Sequence, residues 1–211
     1  QMCTKFVDGG RPRGKMGDFE SFFVKEFVSK KIKIRTFGLT TTTLTIYNSF
    51  KIAKVCKKYY PDSLVIFGGA HASFLPDESI GDPNVDVVVV GEGEYTLKEI
   101  LDGKDFDKID GIVFYHKNKN GQNLIVRSKP RKRERILDAL PYMAYDLIDV
   151  PKYQPILGSF KRLPAMMMVS SRGCPFRCTY CHISKEVEGS ITGNTRKFRI
   201  KSIDRVIEEI R

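Results

Sequence analysis

The sequence predicts an α/β fold built on a doubly wound, mostly parallel sheet, and three observations support this class. Short apolar runs rich in β-branched residues alternate along the chain with segments whose apolar residues recur at helical spacing. Several of the short runs are apolar at successive positions, as strands covered on both faces must be. Hydrophobic residues make up 41% of the chain and charged residues 29%, a balance that indicates a globular protein rather than a disordered one.

Residues 1–120 are predicted to form this α/β domain. The predicted strands are KFVD (5–8), IRTFGLT (34–40), SLVIFGG (63–69), VDVVVVG (85–91) and GIVFYH (111–116). The predicted amphipathic helices are FESFFVKEFVSKK (19–31), IYNSFKIAKVCKKYY (46–60) and EYTLKEILDG (94–103). Because the first strand lies so close to the start of the chain, we expect the first strand and helix of such a domain to be missing upstream.

Residues 121–163 are predicted to be a linker. They contain the basic run RSKPRKRER (127–135) and three prolines, which indicate a connector that crosses a surface. The chain carries a formal net charge of +11, and a basic run can mark nucleic-acid contact. No aromatic side chains interleave with this run to stack on bases, so we expect a solvated surface and no nucleic-acid partner.

Residues 164–211 are predicted to begin a second α/β domain. PAMMMVSS (164–171) is apolar enough for a buried strand, and the loop GCPFRCTYC (173–181) follows its carboxyl end, where α/β folds place their active sites. SIDRVIEEIR (202–211) predicts a helix with Ser202 as its N-cap.

Three cysteines, Cys174, Cys178 and Cys181, lie within eight positions of one another. Five cysteines in a chain without a signal peptide argue against a disulfide framework and for metal or cofactor ligation, and Cys56 fits a buried position in a helix. Soft thiolates select zinc or iron–sulfur clusters, and both normally take four protein ligands. Three thiolates leave one iron of a cubane open to a cofactor or substrate. The alternative is zinc with His182 as the fourth ligand, although adjacent residues rarely both reach one metal.

The stretch SSRGCPFRCTYC resembles the cluster-binding signature of the radical S-adenosylmethionine superfamily, CxxxCxφC, in which φ is aromatic and is here Tyr180. The resemblance implies that Cys174, Cys178 and Cys181 hold a 4Fe-4S cluster whose fourth iron binds S-adenosylmethionine, with Tyr180 against the adenine. Reduction of the cluster would then cleave S-adenosylmethionine to a radical that acts on a small-molecule substrate. The resemblance also implies an external electron donor such as a ferredoxin or flavodoxin.

The upstream domain resembles the cobalamin-binding domain that precedes the barrel in one branch of this superfamily. The similar stretches are GLTTTT (38–43), GGAHAS (68–73) and VDVVVVGEGEYT (85–96), and ILDALPYMAYDLIDV (136–150) is similar to the linker of that branch. The branch includes methyltransferases that act on unreactive carbons and the anaerobic cyclase of bacteriochlorophyll synthesis. The resemblance implies a Rossmann-like cobalamin-binding domain at 1–120, a linker at 121–163 and the start of a radical S-adenosylmethionine β/α barrel at 164–211.

Nine residues near the carboxyl ends of the strands are predicted to contact cobalamin. Glycines there let backbone N–H groups approach a nucleotide tail or phosphate, and threonines offer hydroxyls. The nine residues are Thr40, Thr41, Thr42, Gly68, Gly69, His71, Gly91, Glu92 and Gly93. The alternatives are that the glycines only make tight turns and that Glu92 and Glu94 only favour a helix start. His71 can form a hydrogen bond in its loop or ligate cobalt, but the DxHxxG motif of cobalamin mutases is absent.

The sequence therefore predicts the N-terminal part of a radical S-adenosylmethionine enzyme that performs methyl transfer or cyclisation. From the first cluster cysteine onward the chain has only residues 174–211, whereas a full barrel takes about 250 residues, so we expect this chain alone to be an incomplete catalyst. The alternative is a corrinoid-binding or zinc-binding module without activity of its own. No apolar run approaches the roughly 20 residues that span a bilayer, which predicts a cytoplasmic location.

Overall fold

The computed structural model describes residues 16–118, 121–148, 150, 165–176, 178–181 and 198–211. The chain separates into two compact units, one formed by Gln1–Lys30, Arg135–Arg172 and Phe198–Arg211, the other by Lys31–Glu134 and Gly173–Lys197. Among the helices of the described ranges, none has the length and apolar character needed to cross a bilayer. The predicted strand KFVD lies outside the described residues.

A five-stranded sheet forms the centre of the second unit, and its strands follow one another in space in chain order. The strands are β1 (Thr36–Thr40), β2 (Leu64–Gly68), β3 (Val87–Val89), β4 (Ile112–Lys117) and β5 (Asn123–Arg127). β1, β2 and β3 run parallel, whereas β4 is antiparallel to β3 and β5 is antiparallel to β4. The predicted α/β class is confirmed, and its parallel part is limited to three strands.

The antiparallel direction of β4 has a local cause in the segment that precedes it. The hydroxyl of Thr96, in the helix after β3, donates to the carbonyl oxygen of Asp110 at 3.1 Å, and the backbone N–H of Val90 donates to the carbonyl oxygen of Gly111 at 2.9 Å. These bonds hold the start of β4 beside the end of β3. A parallel crossover would instead have to return the chain to the opposite end of β3.

Helices cover both faces of the sheet. The helices of this unit are α2 (Ile46–Tyr59), α3 (Ala70–Phe74), α4 (Pro76–Ile80) and α5 (Glu94–Leu101). On one face, Ile100 of α5 joins a buried cluster with Ile66 and Val87. On the other face, the ring of Phe67 stacks on Phe50 of α2 with centroids 5.6 Å apart. Because alternate strand residues point to opposite faces, the doubly wound arrangement is the one that buries both sets.

The predicted helices are present, whereas β5, α3 and α4 are among the elements that were not predicted. The first helix appears as α1 (Met16–Phe23) followed by a π-helical turn (Val24–Val28). β5 lies inside the predicted linker, where Leu124 and Ile125 are about half exposed on an edge strand among basic residues, so charge hid its apolar pattern. α3 and α4 have five residues each, too few to show helical periodicity.

The basic run 127–135 contains ion pairs in addition to solvated charges. Arg127 pairs with Asp77, and Arg131 pairs with Glu99 while its Nε donates to the carbonyl oxygen of Asp110 at 3.2 Å. Burial alone raises the pKa of the Glu99 carboxyl, but hydrogen bonds and charges from Lys104 and Arg131 hold that pKa below its ordinary value. The expected solvated surface is therefore only part of what this run forms.

The first unit contains a two-stranded ribbon and a helix. β6 (Ser171–Arg172) pairs antiparallel with β7 (Arg199–Ile200). The predicted buried strand 164–171 is wrong for residues 165–170, which have no regular structure, and Met167 is 87% exposed. The segment is apolar as a buried strand would be, but a strand also needs a neighbouring strand to bond with. Within the described ranges, β7 is the strand that pairs in this unit, and it pairs with β6.

The helix α6 (Ile203–Ile210) confirms the predicted N-cap. The hydroxyl of Ser202 accepts from the backbone N–H of Arg205 at 3.1 Å. The segment that resembles the branch linker contacts this helix start. The Asp138 carboxylate accepts from the Ser202 N–H at 3.0 Å, and the Arg205 guanidinium lies 3.3 Å from the centre of the Tyr142 ring. Polar and cation–π contacts therefore attach this segment to α6.

Candidate functional site

The carboxyl ends of β1, β2 and β3 meet at one edge of the sheet, called here the carboxyl-end edge. Three connections leave it: residues 41–45 after β1, Gly69 after β2 and residues 90–93 after β3. All nine residues predicted to contact cobalamin lie on or next to these connections. Ligands of open α/β sheets bind at this kind of edge.

Thr41 joins the first two connections and has no exposed surface. Its backbone N–H and its hydroxyl both donate to the carbonyl oxygen of Gly68, at 2.7 and 2.9 Å. Its hydroxyl also accepts from the Ala72 N–H at 3.3 Å. The hydroxyl is thus occupied within the protein, so Thr41 shapes the edge and is too buried to touch a bound molecule directly.

Gly69 occupies a position that excludes every other residue. Its φ is +95°, and an added Cβ would lie 2.7 Å from the carbonyl oxygen of Thr41 and 2.9 Å from its nitrogen. Gly91 likewise has a positive φ of +83°. These two glycines are required by the backbone itself, as the tight-turn interpretation expects.

Ser73 links the second connection to the third, and it was not among the site residues predicted from the sequence. Its hydroxyl donates to the carbonyl oxygen of Gly69 at 2.8 Å and accepts from the N–H of Gly91 at 2.9 Å. Its position four residues after Gly69 in GGAHAS was the available signal, because a helical serine can reach the carbonyl oxygen four residues back. One hydroxyl therefore sets the spacing of the two glycine turns.

A bare strip of sheet lies below this edge and consists of Gly38, Thr40 and Gly68. The register pairs Gly38 with Ile66 and Thr40 with Gly68, so the strip lies on the sheet face that carries the buried cluster of Ile66. Within the described part of the chain, a Cβ built on Gly38 or on Gly68 would meet no heavy atom within 4 Å. A flat ligand group can therefore approach the backbone here at a distance that side chains would prevent.

The connection after β3 leads directly into α5. Gly93 is the N-cap of α5 and Glu94 lies in its first turn, where the helix dipole favours a carboxylate. Gly91, Glu92 and Gly93 are all partly exposed. The geometry agrees with the helix-start interpretation of Glu94.

His71 is buried, with 3% of its surface exposed. Its Nδ1 lies 3.2 Å from the hydroxyl oxygen of Thr43 in the first connection, and its Nε2 lies 3.6 Å from Oε2 of Glu78 in α4. The side chain therefore forms a hydrogen bond within its loop region, which was one of its two predicted roles.

The cysteine loop has a different character from the carboxyl-end edge. Cys174 and Cys181 are partly buried, Cys178 is exposed, and the Cys181 N–H donates to the carbonyl oxygen of Cys178 at 3.1 Å. The ring of Tyr180 is 89% exposed. Over the residues that the structure describes, no three His, Cys, Asp or Glu side chains are gathered closely enough to hold a metal ion, and His182 lies outside them. The donor chemistry fits an iron–sulfur cluster, and the ligand assignment stays a prediction.

Cys56 behaves as predicted for a helix cysteine. It is 1% exposed within α2, and burial raises the pKa of its thiol to about 12. A thiol with that pKa stays protonated at neutral pH, so it packs as a small apolar group and takes no part in ligation. Cys3 lies outside the described residues.

The carboxyl-end edge lies in a part of the chain that matches a known protein family. Residues 23–101 match the family described as the B12 binding domain. The match includes the bare strip, the three connections and all of α5. The residues that carry the open backbone surface therefore lie within the matched range.

Curated relatives extend the similarity over most of the chain. An uncharacterized methyltransferase of Pyrococcus horikoshii is 31% identical over 185 residues, which are 87% of this chain and 37% of the relative. The cobalamin-dependent radical SAM methyltransferase TokK of Streptomyces tokunonensis is 28% identical over 88% of this chain and 27% of its own length. The anaerobic magnesium-protoporphyrin IX monomethyl ester cyclase of Rubrivivax gelatinosus is 25% identical over 82% of this chain and 30% of its own length.

Solved structures share the fold. The cobalamin-dependent S-adenosylmethionine radical enzyme OxsB, with aqua-cobalamin and S-adenosylmethionine bound, matches 92% of this chain and 25% of that chain with a TM-score of 0.64 at 18% identity. The radical S-adenosylmethionine methyltransferase TsrM from Kitasatospora setae matches 94% of this chain and 37% of that chain with a TM-score of 0.54 at 15% identity.

This chain spans 37% or less of the length of each of these relatives. Enzymes of two named activities, methyl transfer and cyclisation, are among the relatives, in agreement with the prediction of an enzyme. The resemblance predicted from the sequence is confirmed: residues 23–101 match the B12 binding domain, and the chain is similar to the cobalamin-binding branch of the radical S-adenosylmethionine enzymes.

Proposed function

We propose that this chain is the cobalamin-binding part of a radical S-adenosylmethionine enzyme that transfers a methyl group. The observation that carries the proposal is the bare strip of Gly38, Thr40 and Gly68, which lies inside the matched B12-binding domain and leaves backbone exposed beside a packed core. Methyl transfer is favoured over cyclisation because several of the relatives are named methyltransferases.

The residues of the carboxyl-end edge would contribute to cobalamin binding in different ways. The bare strip admits a flat group such as the nucleotide tail of cobalamin, while Thr41 and Ser73 hold the three connections at fixed spacing. The partly exposed residues Gly91, Glu92 and Gly93 follow β3 at the same edge of the sheet. Bound cobalamin would supply the methyl-carrying chemistry, and the protein would position it.

The cysteine loop would serve the second cofactor. We propose that Cys174, Cys178 and Cys181 hold a 4Fe-4S cluster with S-adenosylmethionine at the open iron and with the exposed ring of Tyr180 against the adenine. The cluster would supply the electron that cleaves S-adenosylmethionine, taken from an external donor such as a ferredoxin or flavodoxin. The substrate would be a small molecule.

Titration of hydroxocobalamin into the 211-residue chain, followed by its visible spectrum, tests the cobalamin assignment. We expect saturable binding that Gly68→Val weakens by at least about tenfold, because the new side chain fills the bare strip. Gly121→Asn is the matched control, since Gly121 lies in the β4–β5 turn and asparagine tolerates its φ of +77°. Absence of saturable binding by the unaltered chain would refute the assignment.

Anaerobic reconstitution with iron and sulfide tests the cluster assignment against the zinc alternative. We expect about four iron atoms per chain, lost on Cys178→Ala and retained on Cys56→Ala, since Cys56 is buried in α2. One tightly held zinc atom in place of iron would favour a zinc-binding module without radical chemistry.

A further inference from the structure

The contact between His71 and Thr43 determines which way the proton of an exposed hydroxyl points. His71 is buried, whereas Thr43 is exposed on the first connection of the carboxyl-end edge. Nδ1 of His71 is at hydrogen-bond distance from the Thr43 hydroxyl oxygen, at 3.2 Å. Nε2 has no hydrogen-bond partner within the described residues, and it lies 3.6 Å from Oε2 of Glu78.

The carboxylate of Glu78 decides the tautomer of a neutral His71. A neutral imidazole carries one N–H and one lone pair. If the lone pair were on Nε2, it would face the negative Glu78 oxygen at 3.6 Å, which is repulsive. With the N–H on Nε2 the same contact is attractive. We therefore assign the proton to Nε2, which leaves Nδ1 as a hydrogen-bond acceptor.

This tautomer dictates the role of Thr43. Because Nδ1 only accepts, the Thr43 hydroxyl must donate its single proton inward to His71. The remaining lone pairs of an exposed hydroxyl oxygen can then only accept a hydrogen bond from outside. The neighbouring threonines differ, since Thr41 is buried and the Thr42 hydroxyl lies 3.0 Å from that of Thr45.

We propose that His71 makes Thr43 a dedicated acceptor for a carboxamide N–H on the corrin periphery, so that the edge selects amidated corrinoids over corrinoids that carry a carboxylate at that position. The inference rests on the proposed cobalamin function and deepens it. A carboxamide offers two N–H donors to such an acceptor. A carboxylate offers only lone pairs and a negative charge, which the Thr43 oxygen would repel.

The test compares cobalamin with its monocarboxylic acids, in each of which one side-chain amide is hydrolysed. Affinities are measured with the 211-residue chain at about pH 8, where imidazole side chains are ordinarily neutral. We expect at least one acid isomer to bind about tenfold or more weakly than cobalamin. Thr43→Val should bring that isomer to within about threefold of cobalamin, and Thr43→Ser should keep the difference. A loss of folding would weaken both ligands together and would not change their ratio.

Two further variants complete the test. His71→Phe should remove the discrimination as Thr43→Val does, and the double variant should match either single one, because both act on one hydrogen bond. Thr36→Val, at the opposite end of β1, is the matched control and should keep the discrimination. If every acid isomer binds as tightly as cobalamin, or if the preference survives Thr43→Val, this inference is wrong while the proposed function stands. If the unaltered chain binds no corrinoid, both are wrong.

Discussion

The carboxyl-end edge and the cysteine loop were both predicted from sequence motifs, but the structure forms them differently. At the edge, Thr41 and Ser73 connect three loops through backbone hydrogen bonds, and the bare strip is already in place. In the loop, no metal-ligand cluster is gathered among the described residues. A cofactor that binds through backbone shape needs a preformed surface, whereas ligation by thiolates can be completed by the metal itself. The first site is thus encoded in packing and the second in donor chemistry.

The largest expected effect on stability comes from replacing Gly69, because no other residue fits its position in the preformed edge. Gly69→Ala places a Cβ 2.7 Å from the carbonyl oxygen of Thr41 at a φ of +95°, so we expect a loss of roughly 3 kcal/mol in the free energy of unfolding. Urea denaturation measures this loss. Gly38→Ala, which meets open space, should change stability by less than about 1 kcal/mol. Equal effects of the two substitutions would show that the turn is not held in this conformation.

An intermediate effect is expected for Ser73. Ser73→Ala leaves the Gly91 N–H and one acceptor site of Gly69 without their partner, at a cost of about 1–3 kcal/mol. Hydrogen exchange of the Gly91 amide should also become faster. Ser79→Ala is the control, because among the described residues the Ser79 hydroxyl bonds only the Leu75 carbonyl oxygen, which the Ser79 N–H also bonds. Unchanged hydrogen exchange at Gly91 would show that the Ser73 hydroxyl does not hold this turn.

The smallest expected effect is a change in stability at acid pH, and it involves a residue outside both sites. Because contacts with Lys104 and Arg131 lower the pKa of Glu99 in the folded state, its contribution to stability is present above the unfolded-state pKa and is lost as pH falls through the folded-state pKa. The side chains are partly exposed, so we expect less than about 1 kcal/mol. Glu99→Gln should flatten the stability profile below about pH 5, whereas Asp62→Asn on the surface should not. Superimposable profiles of the three proteins would contradict this.

Much of the α/β unit follows from sequence patterns. Runs such as SLVIFGG are buried on both faces, and the period of IYNSFKIAKVCKKYY matches α2, because one packed core satisfies both local propensity and burial. The GG and GEG motifs marked the edge correctly, since a positive φ at Gly69 and Gly91 requires glycine.

The remaining features of the fold and the site depend on contacts between residues far apart in the chain, which local sequence patterns do not reveal. β5 is a strand because β4 offers it hydrogen bonds, although half-exposed Leu124 and Ile125 lie beside basic residues. Ser73 matters because two turns from separate strands meet at its hydroxyl, a long-range relation that no local motif reports. Residues 165–170 failed as a strand for the converse reason, since apolar character alone provides no neighbour.

The most direct test of this contrast is the cobalamin affinity of a chain in which Cys174, Cys178 and Cys181 are all replaced by alanine. If the carboxyl-end edge is a preformed site held by its own hydrogen bonds, the triple variant should bind cobalamin within about threefold of the unaltered chain, with or without iron and sulfide. A loss of more than about tenfold would show that the cobalamin site depends on the cysteine loop, and it would contradict the account.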